Sequence, residues 1–121
     1  MMQVHNFRDL KVWQLSIDIV VDIYKISSEF PSEEKFGLIS QIRRCAVSIP
    51  SNIAEGSGRG SNKDFARFLG IALASSYELE TQLIISSRLG IMSINSLNFI
   101  TEKLQEIQKI IFSLQRKFSQ E

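Results

Sequence analysis

The sequence predicts an all-α fold, a four-helix bundle, and three observations support that prediction. Apolar residues make up 44% of the 121 residues and charged residues 22%, a balance typical of a packed globular chain. The apolar residues recur at helical spacing in four successive stretches, which two prolines and six glycines punctuate. The sustained apolar-polar alternation of a strand is missing. A chain of this length is expected to form one domain, residues 1–121.

The first two helices are predicted at about residues 9–28 and 32–56. Pro31 discourages continuation of the first helix, and Ser32 can cap the second. Pro50 stands inside the second helix, where a proline removes a backbone hydrogen bond and costs about 3 kcal/mol. The apolar positions nevertheless keep helical register across Pro50, so we expect one long, kinked helix.

The third and fourth helices are predicted at about residues 62–89 and 94–118. A glycine-rich linker precedes the third helix, and Ser61 or Asn62 can cap it. Gly90 fits the end of the third helix, and Ser93 or Asn95 can start the fourth.

The composition excludes several function classes. Fourteen Lys and Arg stand against thirteen Asp and Glu, so nucleic-acid binding would need locally clustered charge. The single cysteine, Cys45, and the single histidine, His5, exclude a disulfide framework and metal sites that need several such ligands. We therefore expect no cofactor, no metal and no catalysis. The chain has no membrane-length apolar run and no signal-like start, which predicts a cytoplasmic protein.

The first helix carries apolar residues on two nearly opposite sides. We assign one stripe to the core: Leu10, Trp13, Ile17, Val20, Val21 and Tyr24. The opposite stripe then becomes an interface with another copy, because monomers rarely expose so large an apolar patch. It consists of Val12, Leu15, Ile19, Ile23 and Ile26. The alternative is that helix 1 is central in a small bundle and buried on all sides.

The third helix repeats this pattern. Its predicted core stripe is Phe65, Phe68, Leu69, Ala72, Leu79 and Leu83. The other side is a second predicted interface, formed by Gly70, Ala74, Tyr77 and Ile85. The small residues Gly70 and Ala74 would allow another helix to approach closely.

Charged residues provide two further predictions. Arg59, Lys63 and Arg67 cluster near the start of helix 3, where free N–H groups also favour anions, so phosphate contact is expected there. Arg44, on the polar face of helix 2, is the fourth candidate cation. Arg43 lies at the edge of the apolar arc and is expected to form a structural ion pair with Glu78 or Glu80.

Several segments in order resemble the family of 23S ribosomal RNA intervening-sequence proteins. They are FRDLKVW at 7–13, FGL at 36–38, QIRR at 41–44, SIPSNIAEG at 48–56, FARFL at 65–69 and YELE at 77–80. The resemblance implies an antiparallel up-down bundle that assembles as a homopentameric barrel without catalytic activity. The family is also similar in fold to the accessory variability protein of diversity-generating retroelements, a basic pentamer implicated in binding nucleic acid and a reverse transcriptase.

These observations lead to two hypotheses about function. The first is a homo-oligomeric bundle that binds RNA or DNA backbone as a scaffold or accessory factor, with the four cations repeated around a ring. The second is a protein-protein interaction scaffold without a nucleic-acid role. Because backbone binding weakens steeply with salt, the salt dependence of nucleic-acid affinity would separate them.

Overall fold

The computed structural model describes residues 5–120, which form an up-down bundle of four α-helices. The helices are α1 (Lys11–Ser27), α2 (Ser40–Ser57), α3 (Asn62–Arg88) and α4 (Ile94–Ser119). They pack in the cyclic order α1, α2, α3, α4, with each helix between two neighbours. A 3-10 turn at Phe7–Asp9 precedes α1. Within the described residues, no helix combines the length and apolar character needed to cross a membrane.

The second helix begins later than predicted. Ser32–Glu34 is a 3-10 turn, and Lys35–Ile39 is a wider π-helical turn, so regular α-helix starts at Ser40. Gly37, with φ −107° and ψ −107°, leaves helical geometry inside that wider turn. Pro50 does lie inside α2, where the flanking Ile49 and Ile53 are fully buried. Burial of these side chains offsets the backbone hydrogen bond that Pro50 cannot donate.

Helix ends follow capping chemistry. The Ser61 Oγ accepts a hydrogen bond from the backbone N–H of Asp64 at 3.1 Å, and the Ser93 Oγ accepts one from Ser96 at 3.1 Å. Of the alternatives that the sequence left open, serine is therefore the cap at both helices. Gly90 ends α3 with a φ of 76°, a conformation that favours glycine because it has no Cβ.

The assignment of the two apolar sides of α1 was wrong in part. Val12, Ile19 and Ile23 are at most 1% exposed and form part of the protomer core, so they cannot be an outer interface. Leu15 and Ile26 are half-buried and pack against the same core. In the stripe assigned to the core, Val21 and Tyr24 are instead 47% and 44% exposed. The predicted interface side of α1 is therefore part of the core, whereas the predicted core side is divided: Leu10, Trp13 and Val20 pack against the core, and Val21 and Tyr24 face outward.

Two serines explain why the core side of α1 looked less apolar. Ser16 and Ser27 lie on the same side as Ile19 and Ile23 and are almost fully buried. The hydroxyl of Ser16 donates to the Trp13 carbonyl at 2.8 Å, which satisfies its hydrogen-bonding capacity inside the helix. A helical wheel drawn from hydrophobicity counts such serines as solvent-facing. They can nevertheless be buried, because they are small and their hydroxyls donate hydrogen bonds to carbonyls of their own helix.

The predicted α3 interface is divided. Gly70 faces α4, where the Gln115 side chain covers it so closely that an added Cβ would lie 2.7 Å from Nε2. Its small size serves packing within the protomer, so its assignment to an intermolecular contact was wrong. Ala74 is exposed, as are Tyr77 at 51% and Ile85 at 45%. These three remain on the outer surface.

Two surface grooves that include exposed apolar side chains lie on opposite sides of the bundle. The first side, the α1/α2 face, is a groove lined by Phe7, Trp13, Ile17, Val20, Val47, Pro50, Ser51 and Ala54. The second, the α3/α4 face, is lined by Tyr77, Gln105, Gln108, Lys109 and Phe112. Because the helices pack in cyclic order, the groove between α1 and α2 and the groove between α3 and α4 lie on opposite sides of the bundle. Neither Val47 nor Phe112 was predicted as an interface residue.

Gly56 near the end of α2 is expected to be intolerant of a larger residue. A Cβ at Gly56 would lie 2.6 Å from the Phe68 Cβ and 2.9 Å from the Phe65 Cδ1. Gly56→Ala should therefore lower the free energy of unfolding by about 1–3 kcal/mol, measured by urea denaturation. Gly58→Ala is the matched control, because its nearest contact would be at 3.8 Å. Equal destabilisation of both variants would contradict the packing argument.

Candidate nucleic-acid interface

The turn between α2 and α3 positions three predicted cations. Ser61 caps α3, so Lys63 and Arg67 project from its first two turns, while Arg59 precedes the cap. Gly56 permits close approach of the Phe68 ring to the end of α2. The same short turn therefore brings Arg59 beside the first turns of α3.

Phe68 is the centre of this arrangement. The guanidinium carbons of Arg59 and Arg67 each lie 4.6 Å from the centroid of the Phe68 ring. Both distances are within the range of cation-π attraction. The ring itself is only 8% exposed, because the two arginines and the neighbouring helices cover it. Phe68 thus holds two positive charges near each other at the surface.

Two carboxylates accompany these cations. The Arg59 Nη2 lies 2.9 Å from the Glu55 Oε2, and the Arg67 Nε lies 3.5 Å from the Asp64 Oδ1. Both ion pairs are solvent-exposed, so each contributes less than about 1 kcal/mol and exchanges readily with an external anion. Lys63 is exposed. The three cations outnumber the two carboxylates, so the cluster has a net positive charge. The N-terminus of α3 adds a partial positive charge from the helix dipole.

Arg44 does not belong to this cluster. It is exposed on α2, fifteen residues before Arg59, a separation of about 20 Å at helical rise. The structure thus brings together three of the four predicted cations and separates the fourth. This separation could have been predicted from the sequence, because the second predicted helix, about residues 32–56, fills most of the distance between Arg44 and Arg59.

The predicted ion pairs of Arg43 with Glu78 or Glu80 do not form, so that prediction was wrong. The Arg43 Nε donates to the Ser27 Oγ at 2.9 Å, and its guanidinium lies 4.4 Å from the Tyr24 ring centroid. Arg43 therefore joins α2 to α1 rather than to α3. Glu80 instead accepts a hydrogen bond from the Gln108 Nε2 at 2.9 Å. Adjacent residues on a helix point about 100° apart, so a small error in the assumed rotation of α2 changes which neighbouring helix a side chain faces. Arg43 faces α1.

Glu78 contacts the single cysteine. The Cys45 Sγ donates to the Glu78 Oε2 at 3.0 Å. The pKa of the Cys45 thiol is raised from 9.0 to about 12. Burial is the largest cause, and the hydrogen bond to Glu78 and the negative charge of that carboxylate act in the same direction. The thiol therefore stays protonated near neutral pH and is a weak nucleophile. Within residues 5–120, no three His, Cys, Asp or Glu side chains are grouped to hold a metal ion.

Comparisons with known proteins identify a matching family and a solved structure with a similar fold. The model of the family described as 23S rRNA-intervening sequence protein matches residues 8–113. A crystal structure of a protein of unknown function from the S23 ribosomal protein family of Bacteroides thetaiotaomicron is similar, with 30% identity and a TM-score of 0.79. The similarity covers 85% of this chain and 96% of that one. No curated protein matches significantly. The chain belongs to the 23S rRNA-intervening sequence protein family.

Proposed function

We propose that this chain is a non-enzymatic, homo-oligomeric helical-bundle protein that binds the backbone of RNA or DNA as a scaffold or accessory factor. One observation carries the proposal: Arg59 and Arg67 lie over the same Phe68 ring beside Lys63. Guanidinium groups bind phosphate through paired hydrogen bonds, and the exposed carboxylates beside them can be displaced. The family is named for a ribosomal RNA element, which agrees with a nucleic-acid ligand.

Self-association is supported by the two apolar faces of the protomer. On the α3/α4 face, Tyr77 and Phe112 are about half exposed, and Val47 on the α1/α2 face is 40% exposed. Large apolar side chains grouped at the surface in this way commonly mark protein interfaces. Two different faces favour head-to-tail contacts, which form a ring when the rotation from one copy to the next closes. A homopentamer, as the family resemblance implies, would repeat each cation cluster five times and strengthen binding through multivalency.

A second candidate function is a protein-interaction scaffold. The exposed aromatic side chains of Tyr77 and Phe112 favour it, because aromatic residues are enriched at protein interfaces. In this case the two apolar faces would bind another protein, and the cations would serve only to keep the surface hydrated. The absence of salt-dependent nucleic-acid binding would favour this alternative.

The test is nucleic-acid binding by fluorescence anisotropy at several salt concentrations. We expect wild-type affinity to fall steeply as salt rises, because binding releases counterions from the phosphates. The triple variant Arg59→Gln, Lys63→Gln, Arg67→Gln should bind more weakly, with a salt slope smaller by about three. Arg44→Gln is the matched control and should bind like the wild type. Equal loss in Arg44→Gln, or a wild type that binds no nucleic acid, would contradict the proposal.

A further inference from the structure

One end of the bundle gathers more positive charge than the turn between α2 and α3 alone. The last turn of α4 lies beside the first turns of α3, because the rings of Phe65 and Phe118 stack with centroids 5.2 Å apart. Arg116 and Lys117 directly precede Phe118 and are exposed. They therefore lie at the same end of the bundle as Lys63.

The N-terminal segment is tied to this end as well. The backbone N–H of His5 donates to the Ser57 carbonyl at 3.0 Å, and its Nε2 donates to the Asn62 Oδ1 at 2.9 Å. The His5 ring also lies 4.9 Å from Phe65 and 5.1 Å from Phe118, centroid to centroid. This anchoring places the 3-10 turn that carries Arg8 next to the ends of α2, α3 and α4.

We define the basic end as residues 5–10, 55–67 and 115–120. Its described cations outnumber its described carboxylates six to three. The cations are Arg8, Arg59, Lys63, Arg67, Arg116 and Lys117, and the carboxylates are Asp9, Glu55 and Asp64. At the opposite end the charges balance, with Lys25, Lys35 and Arg88 against Glu29, Glu33 and Glu34. Charge is thus polarised along the bundle, although the whole chain is nearly neutral at +1.

Three aromatic rings of the basic end are not available for stacking with bases, and a fourth, Phe7, is half-buried in the α1/α2 groove with its ring edge-on to Trp13 at 5.0 Å between centroids. Phe65, Phe68 and Phe118 are 1%, 8% and 7% exposed. Proteins that bind single strands place bases on exposed aromatic rings, and each such contact contributes about 1–3 kcal/mol. A surface that offers exposed cations over buried rings can contact phosphates but gains little from unpaired bases.

We infer that the basic end as a whole binds the phosphate backbone of double-stranded nucleic acid, with Arg116 and Lys117 as contact residues in addition to Arg59, Lys63 and Arg67. This inference rests on the proposed nucleic-acid function and deepens it. A double helix presents two rows of phosphates with its bases stacked inside, which matches a cationic surface spread over three segments of the chain.

The experiment compares a short RNA duplex with a polyuridine strand of the same length, both fluorescently labelled. The full-length protein should bind the duplex more tightly. The double variant Arg116→Gln, Lys117→Gln should weaken duplex binding on the order of tenfold and reduce the salt slope by about two. Lys25→Gln, Arg88→Gln is the matched control, since it removes two cations from the opposite end of the bundle. It should retain wild-type affinity.

The outcomes separate this inference from the proposed function. Wild-type duplex affinity in the Arg116→Gln, Lys117→Gln variant, with binding lost on replacement of Arg59, Lys63 and Arg67, would overturn the inference alone. Equal weakening by the control pair would also overturn it, because the effect would then follow net charge rather than position. Polyuridine binding as tight as duplex binding would overturn the choice of ligand. A wild type that binds neither probe would instead overturn the proposed function.

Discussion

Replacing Ile19 with lysine is expected to unfold the protomer. Ile19 is 1% exposed and lies in the continuous core formed by all four helices. A lysine there would bury a charge without a partner and would lose the packing of the isoleucine side chain. We expect the free energy of unfolding to fall by about 4 kcal/mol or more, a large share of the stability of a domain this size. Urea denaturation followed by circular dichroism measures the change.

Val21→Lys is the matched control for Ile19→Lys. The two positions lie on the same helix, but Val21 is 47% exposed, so the new ammonium group remains in water. Its effect on protomer stability should stay within about 0.5 kcal/mol. The helical-wheel assignment, which placed Ile19 in an interface, implies the opposite result, in which a charge at position 19 separates subunits that remain folded. A folded, dissociated Ile19→Lys protein would restore that assignment.

If the chain forms the proposed oligomer, blocking either apolar face is expected to dissociate it while each protomer stays folded. Val47→Lys places a charge on the α1/α2 face, and Phe112→Lys places one on the α3/α4 face. An unpaired charge inside an interface costs about 2–5 kcal/mol, enough to separate subunits at micromolar concentration. Size exclusion with light scattering should report a multisubunit wild type and two monomeric variants. Ile94→Lys, an exposed apolar position outside both faces, should keep the wild-type mass.

Mixing the two variants gives a sharper result. The Val47→Lys copy keeps its α3/α4 face, and the Phe112→Lys copy keeps its α1/α2 face. If the contact is head-to-tail, the mixture can form one intact interface and should yield a one-to-one heterodimer but no larger species. If each face pairs with its own copy, either variant alone should instead form dimers through its remaining face. That result, or a wild-type monomer, would contradict the head-to-tail arrangement.

Much of the fold could be predicted from local chemistry. Helical spacing of apolar residues indicated four helices, and serine and glycine signals located the boundaries of α3 and α4 to within one residue. The start of α2 could not be located in this way. Ser32 has a suitable capping side chain, but the chain takes a 3-10 and then a π-helical turn around Gly37 before regular helix begins. Capping preferences describe a helix end, not the route by which the chain enters it.

Only part of the candidate site could be predicted from the sequence. Arg59, Lys63 and Arg67 are close in sequence, so a short turn was enough to bring them together. Arg116 and Lys117 lie about fifty residues further along the chain, and only the packing of Phe118 against Phe65 places them at the same end. Charge counted along a sequence cannot find clusters that tertiary packing creates.

By itself the sequence determined an all-helical chain, its four helices and two apolar sides on α1, because these depend on spacing of about 3.6 residues and on local capping. Only the tertiary structure decided which side of α1 faces the core. A helical wheel is symmetric with respect to that choice, and the internally bonded Ser16 and Ser27 reduced the apparent hydrophobicity of the buried side. The tertiary structure likewise turned Arg43 toward α1, because a side chain's partner depends on which helix packs against it.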